Sequence, residues 1–209
     1  MTRIKASSRQ IVFIVDDDSA ICEGLCDLLD SVGIAAQSFS TAEEFLAAWN
    51  PGLGGCLLLD VRLPGLNGME LQEKLIRANP TIPIIIMTGH GDIPMVRKAL
   101  KSGAAEFLVK PFGDDELLDA IELIFVDQQK RQQRLDLVNS ISARLQLLTS
   151  REREVMELVT AGHTNKEIAE KLFLSIVTIK MHRGHLMRKM QAESVADLVR
   201  MADMVKGRN

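Results

Sequence analysis

The sequence predicts an α/β domain built on a parallel sheet, followed by a smaller domain made only of helices. Five short apolar runs alternate with segments whose apolar residues recur at helical spacing. This alternation is typical of a parallel sheet covered by helices on both faces. The predicted strands are Ile11–Val15, Ala35–Phe39, Cys56–Leu59, Ile82–Met87 and Phe107–Val109. Strand patterns end at Phe125, and from Leu147 onward the periodicity is wholly helical.

These changes of pattern divide the chain into three predicted parts. Residues 1–125 form the α/β domain, residues 126–146 a helical linker, and residues 147–209 the helical domain. The linker is polar, rich in helix-forming residues, and keeps a rough heptad phase of apolar side chains. We interpret it either as a solvated helix or as a helix, continuous with the preceding one, that also contacts a second chain.

Capping signals mark the starts of several predicted helices. Residues 40–43 (Ser-Thr-Ala-Glu) fit a capping box, as do residues 149–152 and 164–167. Further predicted N-caps are Asp18, Ser175 and Ser194. We therefore expect four short helices in the C-terminal domain.

The charge of the chain is unevenly distributed. Residues 1–129 carry 10 Lys/Arg and 19 Asp/Glu, whereas residues 130–209 carry 15 and 9, so the net charges are −9 and +6. This asymmetry indicates an acidic module joined to one that meets a polyanion, either nucleic acid or a membrane surface. The longest apolar runs, such as residues 84–87, fall far short of the ~20 residues that span a bilayer. We expect a cytoplasmic protein without a membrane partner.

Polar residues follow the predicted strands at their carboxyl ends. Asp16 and Asp17 follow the first strand, Asp60 the third, Thr88 the fourth and Lys110 the fifth. In an open parallel sheet these ends share one edge, where ligands bind. Clustered carboxylates are tolerable there if they hold a hard divalent cation, which accepts carboxylate and phosphate oxygens as ligands.

These residues, in the segments LLLDVRLPG, IIIMTGHGD and AAEFLVKPF, resemble the two-component receiver domain of the FixJ subgroup. The resemblance covers roughly residues 10–125. It implies a flavodoxin-like, doubly wound, five-stranded parallel sheet of order 2-1-3-4-5. It also implies that Asp60 accepts a phosphoryl group from a sensor histidine kinase.

The resemblance assigns roles to the residues around Asp60. The implied ligands of Mg²⁺ or Mn²⁺ are Asp16, Asp17, Asp60 and the backbone carbonyl of Arg62. Lys110 would offset the added negative charge and precede a cis peptide bond to Pro111. Thr88 would turn its hydroxyl towards the phosphoryl group, and Phe107 would fill the vacated space. The family commonly dimerises through the surface of residues 93–125, so we expect a homodimer when the chain is phosphorylated.

The C-terminal domain contains a helix-turn-helix pattern. The stretch TNKEIAEKLFLSIVTIKMHRGHLMRKM, residues 164–190, predicts two helices joined by a turn at residues 173–175. Between Thr178 and Gln191 four basic residues stand without an acid. Basic side chains neutralise phosphates, whereas contacts to base edges give specificity. With the preceding LTSREREVMELVTAGHTNKEIA, the stretch resembles a LuxR-type four-helix DNA-binding domain over roughly residues 147–205.

That resemblance places a recognition helix at about residues 176–190. It implies that Lys180 and Met181 face base edges. The residues implied to lie near phosphates are Thr178, His182, Arg183 and Lys189. Gly184 stands where the family often carries a long polar base reader, which removes one side-chain contact. A basic amphipathic helix can also bind a membrane surface, but the turn and the caps favour double-stranded DNA.

Together these expectations describe a phosphorylation-dependent transcription regulator, with promoter DNA and RNA polymerase as partners. One alternative is a DNA-binding regulator that does not depend on phosphorylation and has a vestigial pocket. Another is a Mg²⁺-dependent phosphatase of the haloacid dehalogenase type. That class needs a second acid two residues after the nucleophile, where this chain has Arg62. We expect no enzymatic activity other than slow hydrolysis of the chain's own phosphoryl group.

Overall fold

The computed structural model describes residues 10–50, 54–78, 82–89 and 100–206. The chain divides into two compact units, residues 1–129 and 130–209. The strands are β1 (Gln10–Val15), β2 (Ala35–Phe39), β3 (Gly54–Asp60), β4 (Ile84–Thr88) and β5 (Glu106–Val109). The helices are α1 (Ser19–Ser31), α2 (Ala42–Ala48), α3 (Gly68–Ala78), α4 (Asp114–Gln146), α5 (Ser150–Thr160), α6 (Asn165–Leu172), α7 (Ile176–Met190) and α8 (Val195–Lys206). None of these helices is both long enough and apolar enough to cross a membrane.

The five strands form one sheet in the order β2-β1-β3-β4-β5, and all four strand pairs are parallel. The predicted order and strand direction are therefore confirmed. In the central pair, Ile14 of β1 lies beside Leu58 of β3. Because the strands are parallel, β1, β3, β4 and β5 all end at the same edge.

Successive side chains of a strand point to opposite faces of the sheet. Accordingly Val12 and Ile14 pack in one buried cluster with α1 and α4, whereas Phe13 and Val15 pack in another with α2 and α3. All four side chains are at most 2% exposed. Burial on both faces explains why the strand sequences are continuous apolar runs. The doubly wound architecture is thus confirmed.

In residues 130–206 of the second unit every regular element is a helix, as predicted. Helices α5 to α8 surround a core that also includes Ile141 from the end of α4. Its fully buried side chains include Val155, Ile168, Ile179, Leu186, Met190 and Leu198. Residues 126–146, predicted as a linker, lie within α4.

Most predicted caps are confirmed. Asp18 accepts hydrogen bonds from the first turn of α1, capping boxes start α5 and α6, and Ser175 caps α7. The prediction for residues 40–43 was wrong by one residue. The N-cap of α2 is Thr41, which accepts from the Glu44 N–H at 3.1 Å. Helix α2 begins at Ala42 because that phase buries both Ala42 and Phe45 completely.

Candidate functional site

The carboxyl edge of the sheet brings together Asp16 and Asp60, two of the three acids predicted from the sequence. Asp60 ends β3 and Asp16 directly follows β1, and both are almost completely buried, at 6% and 2% exposed. Asp17, one residue further, is exposed. Lys110 follows β5, and its N–H donates to the carbonyl of Thr88 at 2.7 Å. This bond joins the ends of β4 and β5 and orients the lysine at the edge.

The Lys110 ammonium lies between the two buried carboxylates. Its Nζ is 2.5 Å from Asp16 Oδ2 and 2.7 Å from Asp60 Oδ1. The other oxygens also accept hydrogen bonds: Asp16 Oδ1 from the Asp18 N–H at 3.0 Å and Asp60 Oδ2 from the Arg62 N–H at 2.5 Å. Two buried negative charges are tolerated because a positive charge and backbone donors satisfy them.

The charge state of Lys110 follows from this environment. Burial alone lowers the pKa of a lysine, since it penalises the charged form. Hydrogen bonds and attraction from Asp16 and Asp60 act in the opposite direction, and the pKa of Lys110 is raised above its ordinary value. The ammonium is therefore charged at neutral pH. Two ionised carboxylates beside it would leave a net negative pocket, which attracts a further cation.

The donor chemistry of the pocket fits a hard divalent cation. Asp16 and Asp60 both reach one ammonium nitrogen, so their oxygens converge on a small volume. Mg²⁺ usually takes one or two carboxylates and completes its shell with water and phosphate oxygens. Within the part of the chain that the structure describes, no three His, Cys, Asp or Glu side chains form a metal cage by themselves. Asp16 and Asp60 could supply the carboxylate ligands of such a cation.

The remaining residues predicted for this pocket lie at its border. Thr88 is buried, and its hydroxyl donates to the Gly89 carbonyl at 3.1 Å. Phe107 is half-buried against the cluster that contains Phe13. The Lys110–Pro111 peptide bond is cis. The hydrogen bond of the Thr88 hydroxyl is thus to the backbone and not to Asp60.

Gly68 is a positioning residue that sequence reasoning missed. A Cβ at this residue would lie 2.2 Å from the Asp60 carbonyl oxygen, far inside contact distance. The Gly68 N–H donates to the Val61 carbonyl at 3.2 Å, which draws α3 against the end of β3. Only glycine permits this approach. The available signal was a glycine eight residues after a strand-end acid, which is too common to interpret alone.

The second predicted surface lies on α7, which spans the predicted recognition helix. Lys180 and Met181 are both exposed, the latter at 51%. His182 is half-buried, and Thr178 donates its N–H to the Ser175 cap at 3.1 Å. The two residues predicted to read bases are thus accessible on the outer side of the helix.

Two of the residues predicted to contact phosphate make contacts within the domain. Arg183 Nη1 donates to Asn165 Oδ1 at 2.6 Å, joining α7 to the start of α6. Lys189 Nζ donates to Glu152 Oε2 at 2.7 Å and to the Leu147 carbonyl at 3.1 Å. These bonds give both side chains a structural role that the sequence did not reveal.

Glu152 joins the capping box of α5 to this interaction. Burial raises the pKa of its carboxyl, but hydrogen bonds from Lys189 and Thr149 outweigh that effect and lower it below the ordinary value. A carboxyl whose pKa is lower in the folded state stabilises the fold above its unfolded pKa. That stabilisation is lost as the pH falls through the folded pKa.

Lys189→Met should therefore destabilise the helical domain near neutral pH, because Glu152 would keep its buried charge without its ammonium partner. We expect a loss of about 1–3 kcal/mol. The loss should shrink as the pH falls below the ordinary pKa of glutamate and through the lower pKa that Glu152 has in the folded protein, because the carboxyl then takes up a proton. Urea unfolding followed by circular dichroism at pH 7 and pH 3.5 measures both. A loss of equal size at the two pH values would contradict the role given to Glu152.

Comparison with known proteins assigns a family to each unit. Residues 12–122 match the family model of the response regulator receiver domain. Residues 146–202 match the model of bacterial regulatory proteins of the luxR family. The chain is a response regulator with a LuxR-family DNA-binding domain. The resemblances inferred from the sequence are confirmed.

Relatives similar over nearly the whole chain support this assignment. Nodulation protein W of Bradyrhizobium diazoefficiens is 46% identical over 199 residues, which cover 95% of this chain and 88% of that protein. The transcriptional regulatory protein FixJ of the same organism is 43% identical over 192 residues, covering 91% and 93%. The solved structure of the response regulator StyR is 42% identical, with a TM-score of 0.81, and covers 94% of this chain and 99% of that one.

The family fixes the general function. This response regulator controls transcription in dependence on phosphorylation. Its receiver domain implies a sensor kinase as partner, and its LuxR-family domain implies DNA. Receiver domains generally bind Mg²⁺ for phosphorylation.

Proposed function

We propose that Asp60 is the phosphoacceptor of this response regulator and that its phosphorylation promotes dimerisation and sequence-specific DNA binding. One observation carries the proposal: Lys110 Nζ lies within 2.7 Å of both Asp16 and Asp60. A carboxylate nucleophile, a second carboxylate and a fixed positive charge therefore meet at one sheet edge. In this proposal residues 1–125 are the receiver, 126–146 the linker and 147–209 the DNA-binding domain.

The transfer uses Asp60 as a nucleophile. One of its carboxylate oxygens forms a bond to phosphorus while the bond from phosphorus to the kinase histidine nitrogen breaks, and the imidazole leaves. Lys110, already charged, neutralises the phosphoryl oxygens of the product. Mg²⁺ or Mn²⁺, held by Asp16, Asp17, Asp60 and the Arg62 carbonyl, would neutralise charge on the carboxylates and the incoming phosphoryl group. Slow hydrolysis of this acyl phosphate would reset the protein.

The phosphoryl group then changes contacts at the border of the pocket. The Thr88 hydroxyl exchanges its bond to the Gly89 carbonyl for one to a phosphoryl oxygen, and Phe107 turns inward. Shifting a two-state equilibrium from 1:99 to 99:1 needs about 5.5 kcal/mol, which new charged contacts to one phosphoryl group can supply. The dimer surface is formed by residues 93–125, of which residues 93–99 lie outside the described residues.

The dimer would bind two DNA half-sites about 34–36 Å apart, one turn of the duplex. Lys180 and Met181 contact base edges, and the phosphate contacts come from Thr178, His182, Arg183 and Lys189. Arg183 and Lys189 can contact phosphate only if their hydrogen-bond partners within the domain share or release these side chains. RNA polymerase is the proposed partner at the promoter.

The test treats the purified full-length chain with acetyl phosphate and Mg²⁺. We expect one added phosphoryl group, located to Asp60 by peptide mass spectrometry, and a doubled molar mass by light scattering. Failure to incorporate the group would refute the proposed acceptor. Incorporation without a change in molar mass would refute dimerisation alone. Equal DNA affinity with and without the phosphodonor would favour a regulator that does not depend on phosphorylation.

A further inference from the structure

The outward face of the recognition helix α7 is the side opposite the side chains that the helix buries. Ile179, Leu186 and Met190 are completely buried and fix the inner side of the helix. At 100° per residue, the residues on the opposite side are Val177, Met181, Gly184 and Arg188. All four are exposed. This outward face is therefore the part of α7 that a ligand would meet first.

Large apolar side chains dominate the start of this face. Val177 is 77% exposed and Met181 51%. In the turn just before the helix, Phe173 is 94% exposed. Single exposed apolar residues are ordinary, whereas several together mark a surface that meets a partner.

Phe173 also has an unfavourable backbone conformation. As the C-cap of α6 it has φ 55 and ψ 42, in the left-handed region that glycine or asparagine adopts more readily at this position. Its side chain is almost completely exposed, so folding gains little from the ring in return. A phenylalanine held there at a conformational cost indicates a role outside the fold.

Neighbouring charges indicate what covers this face. Arg188 on this face and Lys180 beside it are both exposed, and residues 178–191 contain no acid. A second copy of the same face would bring like charges together, whereas a polyanion would be attracted. Gly184 leaves open space on the face, since a Cβ there would meet nothing within 4 Å. The backbone of α7 can thus approach a ligand closely at its centre.

We propose that Val177 and Met181, extended by Phe173, bind thymine C5-methyl groups in the major groove, so that thymine methyls are read by this chain as part of its operator. The inference rests on the proposed DNA binding of the domain. The C5-methyl of thymine is the apolar group that base pairs present in the major groove. Residues at the start of a recognition helix contact base edges. Specificity here therefore comes from apolar contacts as well as from the hydrogen bonds of Lys180.

The experiment compares thymine with deoxyuridine, which lacks only the C5-methyl group. Duplexes are first selected from a random 30-base-pair pool with the phosphodonor-treated full-length chain. Each thymine of an enriched duplex is then replaced in turn by deoxyuridine, and affinity is measured by fluorescence anisotropy. We expect at least one replacement to weaken binding about fourfold, the effect of one buried methyl group.

The variants Val177→Ala, Met181→Ala and Phe173→Gly assign each methyl contact to a side chain. A given variant should bind the thymine duplex more weakly and should lose the discrimination at its own position, as in a double-mutant cycle. Val195→Ala, which truncates a valine 37% exposed on α8, is the matched control and should keep full discrimination. Because the three side chains are exposed, circular dichroism should show an intact fold.

The outcomes separate this inference from the proposed function. Enriched duplexes that bind equally well with thymine or deoxyuridine would overturn methyl recognition and leave DNA binding intact. Discrimination retained in all three variants would also overturn it. A pool that yields no enriched sequence would instead refute the sequence-specific DNA binding on which the inference rests.

Discussion

Asp60→Asn is expected to abolish phosphorylation of the response regulator by acetyl phosphate and Mg²⁺. The amide cannot act as the carboxylate nucleophile, so we expect incorporation to fall at least about 100-fold. The fold should persist, because an amide oxygen can still accept the Arg62 N–H and Lys110 keeps its contact with Asp16. Phosphodonor should no longer stimulate dimerisation or DNA binding. Intact-protein mass spectrometry and light scattering measure these effects.

Asp18→Asn is the matched control for this experiment. It makes the same chemical change in the same acidic cluster, but Asp18 caps α1 by accepting from the Ala20 N–H at 2.9 Å. Asparagine caps helices about as well as aspartate, so stability and phosphorylation should stay near the wild-type values. Undiminished labelling of Asp60→Asn would show that Asp60 is not the acceptor, and equal loss in both variants would show that the effect is not specific to Asp60.

Lys180→Ala is expected to remove sequence-specific DNA binding while leaving phosphorylation unchanged. Lys180 is exposed on α7, so its truncation leaves no buried cavity, and alanine is the best helix former. Loss of one direct contact to a base should cost about 1–3 kcal/mol of specific affinity. Fluorescence anisotropy with a selected duplex and with a scrambled duplex measures the specific and the non-specific DNA affinity separately.

Lys206→Ala removes the same charge from the last turn of α8, outside the recognition helix. It should reduce affinity slightly and equally for both duplexes, since only the general attraction to phosphates changes. If Lys180→Ala lowered both affinities in the same proportion, Lys180 would be a phosphate contact and the assignment to base edges would be wrong.

The fold could be predicted closely because burial determines the residue pattern of each element. Strands covered on both faces must be apolar throughout, and this pattern predicts that Ile14 and Leu58 lie in strands. The boundaries were less predictable. Strand β4 begins at Ile84 where Ile82 was expected, and α2 is capped by Thr41 where Ser40 was expected. In each case the exact start depends on which side chains the neighbouring elements bury.

The sequence by itself determined which polar residues lie at the carboxyl end of the sheet, because strand direction and the alternation of faces follow from local pattern. It placed Asp16, Asp60 and Lys110 at one edge. Only the tertiary structure decided that Lys110 bonds both carboxylates, that Gly68 must lack a side chain, and that Lys189 is paired with Glu152. These contacts join residues between 8 and 94 positions apart. The distances between the atoms of these residues are set by tertiary packing, which no short stretch of sequence encodes.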